Sequence, residues 1–142
     1  MPVKANRSLT ISLLRAREAV MSNFRPMLAR HDITEQQWRV LSVLGESSPR
    51  DASDVAERAS ILAPSLTRII KTLEDRRLIT RGRCDDDGRR VQLAITPAGA
   101  ALIREVSPER RAIYRKLEKR YGAAEMEKLL DLLDRLVEIE GR

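Results

Sequence analysis

Hydrophobic residues recur every three or four positions over most of the chain, and the first such segment covers residues 8–30. This spacing places them on one face of a helix. Pro26 interrupts the segment, but the apolar period continues beyond it. We therefore expect one helix with a kink near residues 23–25 rather than two helices. The stripe consists of Leu9, Leu13, Val20, Phe24 and Leu28.

Three further helices are predicted in the next part of the chain. Thr34 and Gln37 form a capping-box signature, which predicts a helix over about 34–46. A short helix over 52–59 and another that begins near Pro64 follow, and their spacing matches a helix-turn-helix. The second helix of this motif turns four apolar residues inward, namely Leu66, Ile69, Ile70 and Leu73.

The outer face of that second helix has the chemistry of a DNA-reading surface. Arg68 can bind guanine through two hydrogen bonds, hydroxyl groups can bind bases or phosphates, and Lys71 can neutralise a phosphate. The alternative is an ordinary solvated face, which would usually carry more glutamate. Here Glu74 and Asp75 come only at the helix end. We predict DNA contacts at Pro64, Ser65, Thr67, Arg68 and Lys71.

Alternating apolar residues over 78–84 and 91–95 predict two short strands. The segment between them, Asp85-Asp86-Asp87-Gly88-Arg89-Arg90, contains an Asp-Gly turn signal, so we expect a hairpin. Taken alone, this is a generic solvated hairpin. After a helix-turn-helix it predicts a wing whose arginines enter a narrow minor groove, where the potential is more negative. The predicted DNA contacts of this wing are Asp87, Arg89 and Arg90.

Two long helices are predicted after the hairpin. Thr96 caps the first and Pro97 occupies its first position, and the helix extends to about residue 120 with a break possible near Ser107-Pro108. The last helix, over 122–140, is apolar over too wide an arc for a lone surface helix in a small domain. A monomeric core helix is one explanation, and a helical dimer interface is the better one.

Together these elements predict a mainly α fold with a small β-hairpin, in a single domain covering residues 1–142. In this arrangement a winged helix-turn-helix over 34–96 lies between dimerisation helices at 8–30 and 97–140.

The charge balance favours a polyanionic partner. The chain has 27 Lys+Arg against 21 Asp+Glu and a formal net charge of +6, although a merely soluble basic protein would show the same balance. With one cysteine, Cys84, and one histidine, we expect no disulfide framework, metal site or cofactor. The N-terminus has no apolar signal core and no run approaches the roughly 20 residues that span a bilayer, so we expect a cytoplasmic protein without membrane attachment.

The sequence also weighs against an enzyme, because it contains no Gly-rich phosphate loop, metal-ligand spacing or nucleophile motif. Two DNA-binding functions stay open on the residues alone. One is a sequence-specific regulator, and the other is an architectural protein that binds DNA without sequence preference. Competition with unrelated DNA separates them, because equal competition indicates the architectural protein.

The order of elements and several motifs resemble the MarR family of winged-helix regulators. The stretches that carry the resemblance are Leu66-Thr67-Arg68-Ile69-Ile70 with Leu73-Glu74, Asp87-x-Arg89 on the wing, and Leu93-x-Ile95-Thr96-x-x-Gly99. A narrower group, the repressors of homoprotocatechuate (4-hydroxyphenylacetate) degradation operons, is similar at Ser8-Leu9-Thr10, Arg15-Ala16-Arg17-Glu18, Phe24-Arg25-Pro26 and Thr34-Glu35-Gln36-Gln37-Trp38-Arg39. One departure is Arg77, where the family has glycine. Two consequences stay open at this point: a helix end of different shape, and an added phosphate contact from Arg77.

The resemblance implies a homodimeric transcriptional repressor that binds a pseudo-palindromic operator in double-stranded DNA. It implies that Asp87 braces Arg89 in the minor groove. It also implies release by a small phenolic or aromatic acid, bound where the dimerisation helices meet the winged helix.

Arg17 lies inside the apolar stripe of the first helix, where a charge needs a partner. An ion pair with Glu or Asp, or an interface position where the side chain extends to water, would account for it, and so would an anionic ligand. An aromatic carboxylate needs a cation and apolar walls, and Arg17 and Arg39 are the cations near the aromatic residues. The predicted ligand contacts are Arg17, Phe24, Trp38 and Arg39, with Ser8 and His31 as hydrogen-bonding partners of phenolic hydroxyls.

Overall fold

The computed structural model describes residues 7–83 and 90–141, without the side chain of Arg83. Within these ranges seven helices and three strands follow one another along the chain. They are α1 (Leu9–Met21), α2 (Arg25–Arg30), α3 (Glu35–Glu46), β1 (Arg50–Asp51), α4 (Ala52–Ala59), α5 (Ala63–Asp75), β2 (Ile79–Arg83), β3 (Val91–Ile95), α6 (Pro97–Tyr121) and α7 (Ala123–Gly141). The prediction of a mainly α fold with a small β-hairpin is confirmed.

The first apolar segment forms two helices, so the prediction of a single kinked helix was wrong. α1 ends at Met21, and α2 begins at Arg25 with Pro26 in its first turn. A proline there sacrifices no helical hydrogen bond, because the first N–H groups of a helix have no partner within it. The side-chain amide of Asn23 donates to the carbonyl of Ala19 at 3.0 Å and helps to close the end of α1.

α3 begins with the predicted capping box. The backbone N–H of Gln37 donates to Thr34 Oγ1 at 3.1 Å, and the N–H of Thr34 donates to Gln37 Oε1 at 3.1 Å. This cap fixes where the helix starts and therefore which residues face inward. The buried residues of α3 are Val40, Leu41, Val43 and Leu44.

α4 and α5 form the predicted helix-turn-helix. Ser60 takes a left-handed conformation with φ of 55°, and the N–H of Ile61 then donates to the carbonyl of Ala56 at 2.9 Å. The turn directs α5 across α3 and α4, and α5 buries the four apolar residues predicted for its inner face, Leu66, Ile69, Ile70 and Leu73.

The three strands form one antiparallel sheet in the order β1-β3-β2. Leu93 at the centre of β3 pairs with Arg50 of β1 on one side and Arg81 of β2 on the other, and its side chain is fully buried. β1 therefore attaches the hairpin to the helix-turn-helix. Residues 84–89, between β2 and β3 in the sequence, include the predicted contacts Asp87 and Arg89 and lie outside the described residues.

Arg77 occupies the turn between α5 and β2, with a φ of 61°. This is the left-handed conformation that glycine adopts most easily. The N–H of Leu78 still donates to the carbonyl of Leu73 at 3.0 Å, and Thr96 Oγ1 donates to the carbonyl of Arg77 at 2.8 Å. The helix end thus has the turn that a glycine would form, although an arginine stands there.

α6 runs unbroken from Pro97 to Tyr121, so the break considered near Ser107-Pro108 is absent. Pro108 is exposed, and a carbonyl freed by a proline on a solvent-facing side can bind water. Thr96 caps α6 as predicted, since its Oγ1 accepts a hydrogen bond from the N–H of Gly99 at 3.0 Å.

The hydrophobic core lies between α2, α3, α4, α5, the sheet and one side of α6. α1 buries no residue in the single chain, and α7 buries only Met126 among its described residues. Both helices present apolar side chains to solvent, including Leu9, Ile11, Leu14, Leu132, Val137 and Ile139. Exposed apolar faces of this extent mark interaction surfaces. None of the helices in the described ranges is both long and apolar enough to cross a membrane.

Gly99 is required where α6 starts against the end of α5. A Cβ atom there would lie 2.3 Å from the carbonyl oxygen of Leu78 and 2.8 Å from Ile95 Cγ1. We expect Gly99→Ala to lower the free energy of unfolding by about 1–3 kcal/mol, because the backbone of α6 must move away. Urea denaturation at fixed protein concentration measures this loss.

Gly82→Ala is the matched control, since a Cβ atom at Gly82 meets no heavy atom within 4 Å. Equal stability of the two variants would contradict the close packing at Gly99.

Candidate DNA-binding face and ligand cleft

The outer side of α5 presents the polar residues that the sequence assigned to DNA. Pro64, Thr67, Arg68 and Lys71 are exposed, and Ser65 is half-buried. We call these five residues the DNA-binding face. Because the opposite side of α5 is buried in the core, the face has a fixed orientation relative to α3, α4 and the sheet.

The side chains of this face differ in how they are held. Thr67 Oγ1 donates to the carbonyl of Ala63 at 3.2 Å, and Lys71 Nζ lies 3.8 Å from Asp75 Oδ2. Across residues 7–83 and 90–141, no ion-pair partner contacts the guanidinium of Arg68. Arg68 is therefore free to bind a base or a phosphate.

At the base of the hairpin, Arg90 is turned toward β1, where its Nε lies 3.5 Å from Asp51 Oδ2. Arg50, which precedes Asp51 in β1, donates through Nη1 to Asp54 Oδ2 of α4 at 2.8 Å. Its Nε donates to the carbonyl of Ser47 at 2.9 Å. These contacts join the hairpin, β1 and α4 electrostatically. The hydrogen bond from Arg50 is the main cause that holds the pKa of Asp54 below its usual value.

A cleft of about 410 Å³ lies between α1, α2, α3, α4 and α6. Its apolar wall includes Phe24 and Trp38, and its polar wall holds four arginines, one glutamate and one serine. The combination of aromatic surface and a few charged groups suits a small aromatic anion. The complete lining is Arg17, Met21, Phe24, Met27, Leu28, Glu35, Trp38, Arg39, Ser42, Val43, Arg58, Ala59 and Arg110.

Glu35 is the acceptor for three arginines at one end of the cleft. It pairs with Arg17 of α1, while Arg25 Nη2 lies 3.6 Å and Arg39 Nη1 lies 3.4 Å from its carboxylate oxygens. Glu35 is 14% exposed, so this charge depends on its partners.

Arg39 is the least compensated of the three arginines. Its Nε is buried and has no hydrogen-bond partner in the described part of the chain. Burial lowers the pKa of Arg39, and repulsion from Arg17 lowers it further. A hydrogen-bond acceptor in the cleft, such as the oxygen of a hydroxyl group, would satisfy this buried nitrogen.

The structure brings together four of the six predicted ligand residues, Arg17, Phe24, Trp38 and Arg39. The remaining two lie elsewhere in the single chain. Ser8 caps α1 by accepting a hydrogen bond from the N–H of Ile11 at 3.3 Å. His31 Nε2 lies 2.6 Å from Glu109 Oε2, and this hydrogen bond is the main cause that lowers the pKa of Glu109.

Four polar residues of the cleft were missed from the sequence, namely Glu35, Ser42, Arg58 and Arg110. The spacing of Glu35 and Arg39 at i and i+4 was a usable signal of their contact. For Arg58 and Arg110 there was no such signal, because their position depends on how α4 and α6 pack beside α1. No group of three or more potential metal ligands is assembled within the described ranges.

A helix-turn-helix with an outward polar and cationic face, followed by an antiparallel hairpin, defines a winged-helix DNA-binding protein. Residues 31–90 match the MarR family. The chain is also 42% identical over 130 residues to the homoprotocatechuate degradative operon repressor of Escherichia coli, covering 92% of this chain and 88% of that protein. The chain belongs to the MarR family of transcriptional regulators, and it is a DNA-binding regulator rather than an enzyme.

Two solved structures resemble the chain over nearly its whole length. The transcriptional regulator PA4135 has a TM-score of 0.91 and 37% identity, with 96% of this chain and 100% of that chain covered. NadR in complex with 4-hydroxyphenylacetate has a TM-score of 0.82 and 41% identity, with 99% and 100% covered. The predicted fold and family are confirmed, and regulators of this family are dimers that bind double-stranded DNA.

The shared role of Glu35 gives a stability prediction. We expect Glu35→Gln to lower the free energy of unfolding by about 1–3 kcal/mol, because Arg17 and Arg39 lose their common charged acceptor. Urea denaturation at fixed protein concentration measures the change.

Glu18→Gln is the control for this substitution. Its carboxylate pairs with Arg25 at 2.5 Å but is 66% exposed, and surface pairs contribute little. A loss in Glu18→Gln as large as the loss in Glu35→Gln would contradict the special role of Glu35.

Proposed function

We propose that this protein represses an aromatic-compound catabolic operon of the homoprotocatechuate or 4-hydroxyphenylacetate type, and that a phenolic or aromatic acid releases it from its operator. The observation that carries the proposal is the cleft, with aromatic walls and an excess of arginine, between α1 and the helices of the DNA-binding unit. The 42% identity to a repressor of such an operon supports the same function.

The DNA-binding assembly follows from the exposed apolar faces. We place the dimer interface in the helices of 8–30 and 97–140, because α1 and α7 expose apolar side chains that a second copy would cover. Two copies of α5 then read half-sites about one duplex turn apart in a pseudo-palindromic operator. In this proposal Asp87 orients Arg89 in the minor groove and Arg90 lies beside them.

The effector is proposed to lie with its ring between Phe24 and Trp38, in the cleft that the arginines border. Glu35 is the one carboxylate among the lining residues, and it can accept a hydrogen bond from a phenolic hydroxyl. Arg17 and Arg39 hold Glu35 in place, and Ser8 and His31 stay predicted contacts outside the cleft of the single chain.

Release requires that the effector bind one spacing of the two winged helices better than the other. The cleft is suited to this role because α1 and α6 of the proposed dimer interface line it together with α3 and α4 of the winged helix-turn-helix. A regulator of this type acts where the chromosomal operator lies, so we assign it to the cytoplasm.

The proposed DNA contacts predict the effect of two substitutions. We expect Arg68→Ala and Arg89→Ala together to abolish specific binding to the DNA upstream of the protein's own gene, while the dimer stays folded. Each well-placed arginine contact contributes about 1–3 kcal/mol of discrimination between base pairs. A gel-shift titration with an excess of unrelated DNA measures specific binding.

Arg111→Ala is the control for charge alone, since Arg111 is exposed on α6 and is not one of the proposed DNA contacts. Specific binding that survives the double substitution would overturn the assignment of these contacts.

The effector proposal predicts the response of the DNA complex to small molecules. We expect 4-hydroxyphenylacetate to release the operator and Arg17→Ala to require about tenfold more of it, because Glu35 loses one of the three arginines that position it. Fluorescence anisotropy of labelled operator DNA follows the release. Arg15→Ala, an exposed residue of α1 that does not line the cleft, is the control. Unchanged release in Arg17→Ala would leave Arg17 with a structural role alone.

A further inference from the structure

The cleft carries more positive charge than one acidic group can balance. Its four arginines come from four different helices, with Arg17 on α1, Arg39 on α3, Arg58 on α4 and Arg110 on α6. Glu35 is the single carboxylate in the lining. Because Glu35 already pairs with some of these arginines, its position decides which arginine is available to bind the carboxylate of an effector.

The end of the cleft near Glu35 is unfavourable for an effector's acid group. Arg17 and Arg39 already share the carboxylate of Glu35. A second carboxylate placed on either arginine would stand close to the carboxylate of Glu35, and the repulsion between the two like charges would offset part of its attraction to the arginine. This end suits a hydroxyl that donates to Glu35.

Arg58 is a cleft arginine that pairs with Asp54 and not with Glu35. Its Nε donates to both carboxylate oxygens of Asp54, at 3.1 and 3.3 Å. Its two terminal nitrogens contact no acceptor within residues 7–83 and 90–141. The side chain is 55% exposed, so the terminal nitrogens can be reached from the cleft without loss of the contact to Asp54.

Asp54 is itself held in place, so Arg58 is oriented before any ligand binds. Arg50 Nη1 donates to Asp54 Oδ2 at 2.8 Å, and Arg50 is fixed by its own bond to the carbonyl of Ser47. A guanidinium held in one orientation loses less conformational entropy when it binds a carboxylate. Arg110 is exposed on α6, and no hydrogen bond to a described residue orients its guanidinium.

We propose that Arg58 is the residue that binds the carboxylate of the effector, through its two terminal nitrogens, and that Asp54 positions it. This inference rests on the proposed function, since it names the group that recognises the acid. It makes Arg58 the determinant that separates aromatic acids from neutral phenols. Because α4 belongs to the helix-turn-helix and Asp54 is joined to β1, the acid group contacts the DNA-binding unit directly.

Trp38 makes the inference testable without DNA. It is the chain's single tryptophan and it lines the cleft, so its fluorescence reports occupancy. The probes are 4-hydroxyphenylacetate and 4-ethylphenol, which share the phenol ring and differ in the carboxylate. We expect the unchanged dimer to bind the acid more tightly than the neutral phenol.

In Arg58→Gln we expect the affinity for the acid to fall by about tenfold or more, because a charge-assisted hydrogen bond is lost. The affinity for 4-ethylphenol stays unchanged, since this probe has no carboxylate. Arg58→Lys restores part of the preference, since it keeps the charge without the fork. Asp54→Asn, which loses the charge that positions Arg58, weakens acid binding less than Arg58→Gln. Arg110→Gln, at the cleft arginine that no hydrogen bond to a described residue orients, lowers the affinity for the acid less than Arg58→Gln does.

Two results overturn the proposal while leaving the proposed function intact. One is wild-type affinity for the acid in Arg58→Gln, and the other is loss of the preference in Arg110→Gln instead. If the unchanged protein binds neither probe, the proposed function fails and Arg58 has no effector to recognise, a result visible before any substitution is made. Binding of 4-ethylphenol by Arg58→Gln shows that its cleft is folded.

Discussion

The contact between Glu35 and the arginines around it ties the N-terminal helices to the DNA-binding unit. α1 buries no residue in the single chain, and beyond the packing of Met21 at its end against the core, the pair between Arg17 and Glu35 connects it to α3. Glu35 is mostly buried at the first turn of α3, where the helix dipole also favours a negative charge. One carboxylate thus anchors α1, orders the wall of the cleft and keeps Arg39 beside Trp38.

The cleft and the DNA-binding face are connected through the helices that pack between them. α5 is fixed by burial of its apolar side, and the hairpin is fixed to α4 through β1 and the contacts of Asp54 and Asp51. A molecule in the cleft contacts α1 and α6, which belong to the proposed dimer interface, and also α3 and α4. Occupancy can therefore change the distance between two DNA-binding faces without any change inside either one.

Local signals in the sequence predicted most of the fold. The capping box at Thr34, the four inward residues of α5 and the Thr96-Pro97 helix start appear in the structure as expected, because each depends on neighbours within a few positions. The kink expected at residues 23–25 was wrong for a related reason. An apolar period continues equally well through a kinked helix and through two helices that pack on the same core.

By itself, the sequence determined most of the order of elements, the outward chemistry of α5 and the family, since these follow from periodicity, caps and motifs along the chain. The presence of Arg58 and Arg110 in the cleft was decided by the tertiary structure. Arg58 and Arg110 lie 52 positions apart and reach one cavity because α4 and α6 pack beside the same helices. Arg17 of α1 likewise pairs with Glu35 of α3, and this contact depends on how the two helices pack. Contacts between residues so distant in the chain leave no periodic trace, because they depend on packing between helices rather than on spacing within one.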